Sequence, residues 1–320
     1  MLINLLFIIL GLAVLIIGGE FLVKGAIGIA AKARLSTLVI GMTVVSFGTS
    51  APELLVSLKA AYMDVPEIAI GNVIGSNIAN IALVLGITVI IFPMPVRRNT
   101  INYDWPMMLI SGLLFFVFAL NLMIERWEGL VLFLILVGFI TFLIVTSRKK
   151  NKKDKKQIQD ERKINNKELK ANRKKFLMSL LWVLLGLIGL YFGARWLILG
   201  AKGFGENMGL SKHVIAITVV AFGTSVPELV TSVVAAYRKQ MDISVGNLIG
   251  SNVFNVLAVI GITAIVSPIP VDEEVVFWDM LWMLAIFIAL LPMILIKRKV
   301  GRVSGIILLT TYIVYIYFLF

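Results

Sequence analysis

The sequence contains no cysteine and one histidine, and its 18 acidic residues are outnumbered by 30 lysines and arginines. Without cysteine there are no disulfides, iron–sulfur clusters or thiol chemistry, although the compartment stays open. Charge of any kind is scarce: 15% of the 320 residues are charged and 59% are hydrophobic, with a mean hydropathy of +0.98. A soluble globular domain is nearer half apolar and cannot hide that excess. Also missing is the apolar/polar alternation of a membrane strand, which excludes a β-barrel. The N-terminus lacks a basic leader and a small-residue cleavage site. Residues from Leu2 onward are therefore expected to form a retained span rather than a signal peptide.

What is present is a series of uninterrupted apolar stretches, several longer than the ~18–20 residues that cross a bilayer. They predict an all-α membrane protein of about ten transmembrane helices, near 2–31, 36–62, 67–92, 104–123, 127–147, 176–205, 211–237, 242–267, 276–296 and 302–320. The net charge of +12 would suggest nucleic acid in a soluble protein, but here it is concentrated between Arg148 and Lys175. That segment reads as a solvated cytoplasmic linker free to touch anionic lipid. No nucleic-acid partner is expected, and the linker is too short for a folded regulatory domain.

The halves on either side repeat each other. FGTSAPELLVSLKAAY from Phe47 matches FGTSVPELVTSVVAAY from Phe222, and GNVIGSNIANIALVLGIT from Gly71 matches GNLIGSNVFNVLAVIGIT from Gly246. The same ungapped offset aligns Gly11, Gly18 and Gly25 with Gly186, Gly193 and Gly200. About half the positions from Phe47 to Thr88 equal their partners. Shared hydrophobicity alone would not preserve Ser, Asn, Pro and Glu, so this is a duplication. It divides the chain into five-helix repeats at 1–147 and 176–320, joined by the basic linker at 148–175. With that linker cytoplasmic, alternate connections should be basic, and Lys32, Arg34, Arg97, Arg98, Arg238, Lys239, Lys297, Arg298 and Lys299 all comply. Asp272, Glu273 and Glu274 fall on the other side. Both termini are then outside, and an odd number of spans per repeat inverts the second half, as in many secondary transporters.

Glu53 and Glu228 occupy equivalent places inside apolar spans. A carboxylate there costs roughly 2.5–3.5 kcal/mol on insertion scales, and two near the midplane also repel. They persist together only if a cation lies between them or protons neutralise them. The bland alternative for Glu53, a salt bridge to Lys59, fails for Glu228, because Val234 stands at the equivalent of Lys59. In both GTSxPE motifs the proline breaks the helix and frees carbonyls about one turn earlier. Irregular backbone at this depth is tolerated only where it is buried or lines a wet cavity. Carbonyls of Thr49 and Thr224, or of Ser46 and Ala221, are then hard oxygen ligands. Ser76 with Asn80, and Ser251 with Asn255, stand i, i+4 and share one helix face. They supply further oxygens, or simply glue helices together. With oxygen donors and no His or Cys, the centre suits Ca²⁺ or Na⁺ rather than zinc or copper.

The paired G-T-S-x-P-E and G-N-x-x-G-S-N motifs resemble the two α-repeats of the cation/Ca²⁺ exchanger superfamily, specifically its Na⁺/Ca²⁺ exchanger branch, over essentially the whole chain. The resemblance implies that Glu53 and Glu228 hold Ca²⁺ with the Thr49 and Thr224 carbonyls. It further implies that Ser50, Ser76, Ser225, Ser251 and the carbonyls of Ser46 and Ala221 make up Na⁺ sites. Asn80 and Asn255 match the remaining central positions. Some relatives, the K⁺-dependent exchangers among them, carry Asp where this chain has Asn255, so K⁺ coupling is disfavoured. Gly75 and Gly250 replace the Glu of the H⁺-coupled branch.

The expectation is therefore an electrogenic Na⁺/Ca²⁺ antiporter of the plasma membrane. It is no enzyme, needs no cofactor, and has Ca²⁺, Na⁺ and lipid as its only implied partners. An H⁺/Ca²⁺ antiporter is the runner-up; a Ca²⁺ channel and a cation-binding scaffold fit less well. The glycines at every seventh position suggest either static close packing or a smooth face on which the first and sixth spans slide across the others. Glu20 should pair locally with Lys24, Arg195 should snorkel or find an acidic partner, and His213 receives no role.

Overall fold

The computed structural model describes residues 1–63, 65–156, 166–208 and 221–319. The chain opens with α1 (Leu2–Ala33), then a bent pair, α2 (Thr37–Thr49) and α3 (Ala51–Tyr62), then α4 (Ile68–Ile91). A two-residue strand β1 (Met94–Pro95), α5 (Thr100–Ala119), strand β2 (Met123–Ile124) and α6 (Arg126–Lys156) complete the first half. The second half runs α7 (Asn166–Asn207), the short α8 (Ala221–Thr224), α9 (Val226–Tyr237), α10 (Met241–Val266), β3 (Ile269–Pro270), α11 (Val275–Leu295), β4 (Lys299–Val300) and α12 (Arg302–Leu319).

Among the described residues eight helices are long and apolar enough to cross a membrane, and nine spans result if α2 and α3 count as one. The tenth expected span, 211–237, begins in residues outside the described set, as does His213; only α8 and α9 of it are seen. Where described, the linker expected at 148–175 is helical, because α6 runs on to Lys156 and α7 starts at Asn166.

Burial separates two central helices from the rest. In α4 and α10, 78% and 83% of the apolar window is buried, against 22% in α1 and in α6. The outer helices show large side chains outward, among them Leu2, Leu6, Trp127, Leu134, Ile306 and Tyr317. Such an apolar exterior is stable in lipid and not in water. Small residues bring the backbones together. A Cβ on Gly41 would lie 2.8 Å from Ile243 O and one on Gly246 2.6 Å from Leu38 O, which locks α2 against α10.

The pseudo-symmetry of the duplication is visible in the contacts. α1 and α7 pack antiparallel along their glycine faces: a Cβ on Gly18 would meet Leu190 N at 2.8 Å, and one on Gly186 would meet Leu22 N at 2.5 Å. The stripe is therefore consumed in pairing these two helices and does not form the surface they present to the others. β1 pairs with β4 and β2 with β3. Leu122 and Arg298, just before β2 and β4, both take positive φ, 63° and 47°.

The connections carrying Ser36, Arg97, Ser147, Arg238 and Arg298 gather at one end of the molecule. There Ser147 Oγ accepts from Ser36 N at 2.9 Å, Arg298 O accepts from Val96 N at 2.8 Å, and Arg97 ion-pairs with Asp242. Glu20 departs from expectation. Its carboxylate takes Arg238 Nε at 3.0 Å instead of Lys24, whose ammonium lies 4.3 Å from the centre of the Trp182 ring. A planar two-donor guanidinium fits a carboxylate better than the i+4 ammonium.

Candidate functional site

α3 and α9 each begin with a proline in the first turn, where its missing N–H costs nothing. The preceding Ser50 and Ser225 have nearly identical backbone angles, φ/ψ −85°/1° and −89°/0°, and α2 meets α3 at 42°. Across each break the amide one residue past the glutamate still reaches the serine carbonyl: Leu54 N to Ser50 O at 3.2 Å and Leu229 N to Ser225 O at 3.1 Å. The two breaks hold Glu53 and Glu228 at matching places, each fully buried. The carboxylates lie within Coulombic range of one another.

None of the four carboxylate oxygens has a hydrogen-bond partner among the described residues, and Lys59 makes no ion pair with Glu53. Also buried and unpartnered are Ser50 Oγ, Ser225 Oγ, both amide atoms of Asn80 and Asn255 Oδ1. Buried polar atoms in proteins are nearly always satisfied. Here the orphaned atoms are concentrated on residues singled out by the repeat. Among the described residues no three His, Cys, Asp or Glu side chains converge, so the glutamate pair is the charged part of the centre.

The remaining candidates surround it. α3 packs on the stretch of α10 that starts at Asn255, and α9 on the stretch of α4 around Asn80. Both stretches are wide π-type turns, a feature frequent at functional sites. Asn255 Nδ2 donates to Asn77 Oδ1 at 3.1 Å. Thr49 Oγ1 lies 3.1 Å from Asn247 Oδ1 and 3.3 Å from Ser251 Oγ. Ser46 Oγ donates to Gly41 O at 2.7 Å, and its carbonyl accepts from Ser50 N at 2.9 Å. Ser76 and Thr224 line one cavity of about 230 Å³. Ala221 opens α8.

Sequence reasoning missed a supporting pair. Asn72 Nδ2 donates to Ser57 Oγ at 3.1 Å and to Glu53 O at 3.2 Å; at the equivalent place Asn247 Nδ2 donates to Ser232 Oγ at 3.1 Å. The signal was the first asparagine of each G-N-x-x-G-S-N motif, quoted above without a role.

Two inverted halves whose broken helices meet at a buried carboxylate pair have the architecture of a secondary transporter for cations. The chain belongs to the family described as Sodium/calcium exchanger protein, whose model matches residues 3–145 and 178–320. It is therefore a multi-pass membrane cation/Ca²⁺ antiporter, a transporter rather than an enzyme. It is 36% identical over 325 residues to the CaxA protein of Alkalimonas amylolytica, covering 100% of this chain and 99% of that one. It is 32% identical over 345 residues to the sodium/calcium exchanger MaX1 of Methanosarcina acetivorans, covering 99% of each. A solved structure of the sodium-calcium exchanger NCX_Mj, soaked with zero Na⁺ and Ca²⁺, matches with a TM-score of 0.83 at 31% identity, over 100% of this chain and 99% of that one.

Proposed function

We propose that the protein exchanges Na⁺ for Ca²⁺ by alternating access, and that both ions compete for the centre between Glu53 and Glu228. One observation carries this reading: two fully buried carboxylates with every oxygen unpartnered. Ionised, they give the centre a charge of about minus two, which one Ca²⁺ or two Na⁺ would neutralise. The oxygens of Thr49, Ser50, Ser76, Asn80 and their counterparts Thr224, Ser225, Ser251 and Asn255 are the further ligands, with the carbonyls of Ser46 and Ala221 at the margin. Ca²⁺ takes 6–8 hard oxygens, so two glutamates, backbone carbonyls and water suffice.

An empty centre leaves charge uncompensated in lipid, so crossing unloaded is unfavourable and exchange prevails over leak. If a third Na⁺ binds, each cycle carries net positive charge. At about 2.3 kcal/mol per charge per 100 mV, the membrane potential then drives Na⁺ entry against Ca²⁺ exit. The working units are repeats at 1–147 and 176–320 joined by 148–175, with the basic end cytoplasmic, both termini outside, and the plasma membrane as the location. The α1–α7 pair, sealed by its own glycines, moves as one body against the other spans.

The test is uptake of radiolabelled Ca²⁺ into proteoliposomes. Na⁺-loaded vesicles at equal pH should accumulate Ca²⁺, and Glu53→Gln and Glu228→Gln should abolish uptake. Unpaired buried carboxylates also bind protons, which favours H⁺/Ca²⁺ exchange as a second reading. Uptake into Na⁺-free, acid-loaded vesicles with none into Na⁺-loaded ones would establish that reading instead.

A further inference from the structure

The duplication also retains an acid at the start of α5, Asp104, and at the start of α11, Asp279, 175 residues apart as Glu53 and Glu228 are. Each lines a cavity at its own end of the molecule. Asp279 lines the cavity of about 230 Å³ whose lining also includes Ser76 and Thr224. Asp104 lines one of about 270 Å³ at the basic end, together with Arg97, Arg98 and Ser147. Because α11 is one residue longer than α5, the offset beyond them is 176; Leu143 and Leu319 correspond on that offset and line the same two cavities.

Their surroundings differ in a telling way. Asp279 is partly exposed and accepts from Tyr315 Oη at 3.0 Å. Asp104 is 1% exposed and its Oδ2 has no partner, and Phe139 stands where the repeat places Tyr315. Leu38 and Val39 of α2 line the Asp104 cavity, and α2 is pressed on α10 at Gly41 and Gly246. A buried carboxylate oxygen left without a partner in a cavity wall is costly to keep unless a cation visits it. At the rim beside Asp104, Arg97 is neutralised by Asp242, which leaves Arg98 as the charge opposing cations.

We infer that Asp104 and Asp279 are waypoint carboxylates, one in each access cavity, that take up a hard cation and pass it to the centre. This rests on the exchange reading above and adds to it two residues that govern capture rather than exchange itself. In water-filled vestibules a single acid raises the local cation concentration, and salt weakens the effect.

The test measures Ca²⁺ exchange, under whichever counter-ion drives it, in right-side-out and inverted membrane vesicles. Asp279→Asn should raise the apparent KM for Ca²⁺ roughly tenfold on the face that its cavity opens to, with the KM on the opposite face and the maximum rate unchanged. Asp104→Asn should do the reverse, and more strongly, because Arg98 is then unopposed. Asp279→Glu and Asp104→Glu should restore the wild-type values and show that charge, not fold, is read. Equal changes on both faces, or none, would overturn the inference. Failure of wild-type exchange with Na⁺ alone would instead count against the counter-ion proposed above. If the two faces prove interchanged, the orientation is reversed and the waypoint assignment stands.

Discussion

Asn255 donates its side-chain amide to Asn77 Oδ1 at 3.1 Å, so the two repeats are joined by a hydrogen bond beside the glutamate pair. Asn255→Asp would place two acceptors face to face and add a third negative charge. A centre of minus three holds Ca²⁺ too well to release it. The apparent KM for Ca²⁺ should fall and the maximum exchange rate should drop, each by roughly tenfold, the equivalent of about 1.4 kcal/mol. Radiolabelled Ca²⁺ flux at varied concentration reads both.

Glu53→Gln and Glu228→Gln should separate stability from transport. In Ca²⁺-free detergent each variant should melt above wild type, because an uncompensated buried charge costs several kcal/mol and an amide far less. Saturating Ca²⁺ should raise the Tm of wild type through binding to the folded state, and this rise should vanish in both variants. Thermal melting with and without Ca²⁺ checks the pair of outcomes.

Gly18→Leu and Gly193→Leu should destabilise the protein by about 1–3 kcal/mol or more. A Cβ at either position would come within 2.8 Å of a backbone nitrogen on the facing helix, where nothing flexible can yield. Melting and gel filtration in detergent would register the loss. Gly75→Leu, where no described atom lies within 4 Å of the added carbon, should be tolerated far better.

Asn247→Ala and Asn72→Ala should each cost about 1–3 kcal/mol, since both strand a buried serine hydroxyl without its donor. They should differ in transport. Asn247 Oδ1 also accepts from Thr49 Oγ1, so its loss frees a candidate ligand and should raise the KM for Ca²⁺ further than Asn72→Ala does. Flux and melting measured together distinguish the two effects.

Much of this was legible in the sequence because duplication acts as an internal control. A polar residue kept twice in an apolar span carries a cost that shared hydrophobicity does not explain, and Glu53, Glu228, Asn80 and Asn255 all stand out that way. What could not be read was partnership. Spacing showed that the glycines form a stripe but not that the stripe of α1 faces that of α7. The i, i+4 rule pointed Glu20 to Lys24 because it cannot see Arg238, 218 residues away. Asp104 and Asp279 give no signal of their own in the sequence, since hydropathy alone does not tell a rim from a cavity wall.

The two short ribbons carry a consequence of their own. Each joins a strand of one half to a strand of the other, β1 to β4 and β2 to β3, so neither half closes a ribbon by itself. A half-length ancestor inserted in both directions would make the same two ribbons between a pair of identical copies. Gene fusion then needed only a tether, and the long basic connection supplies it. Co-expressed as separate polypeptides, the halves should find each other again.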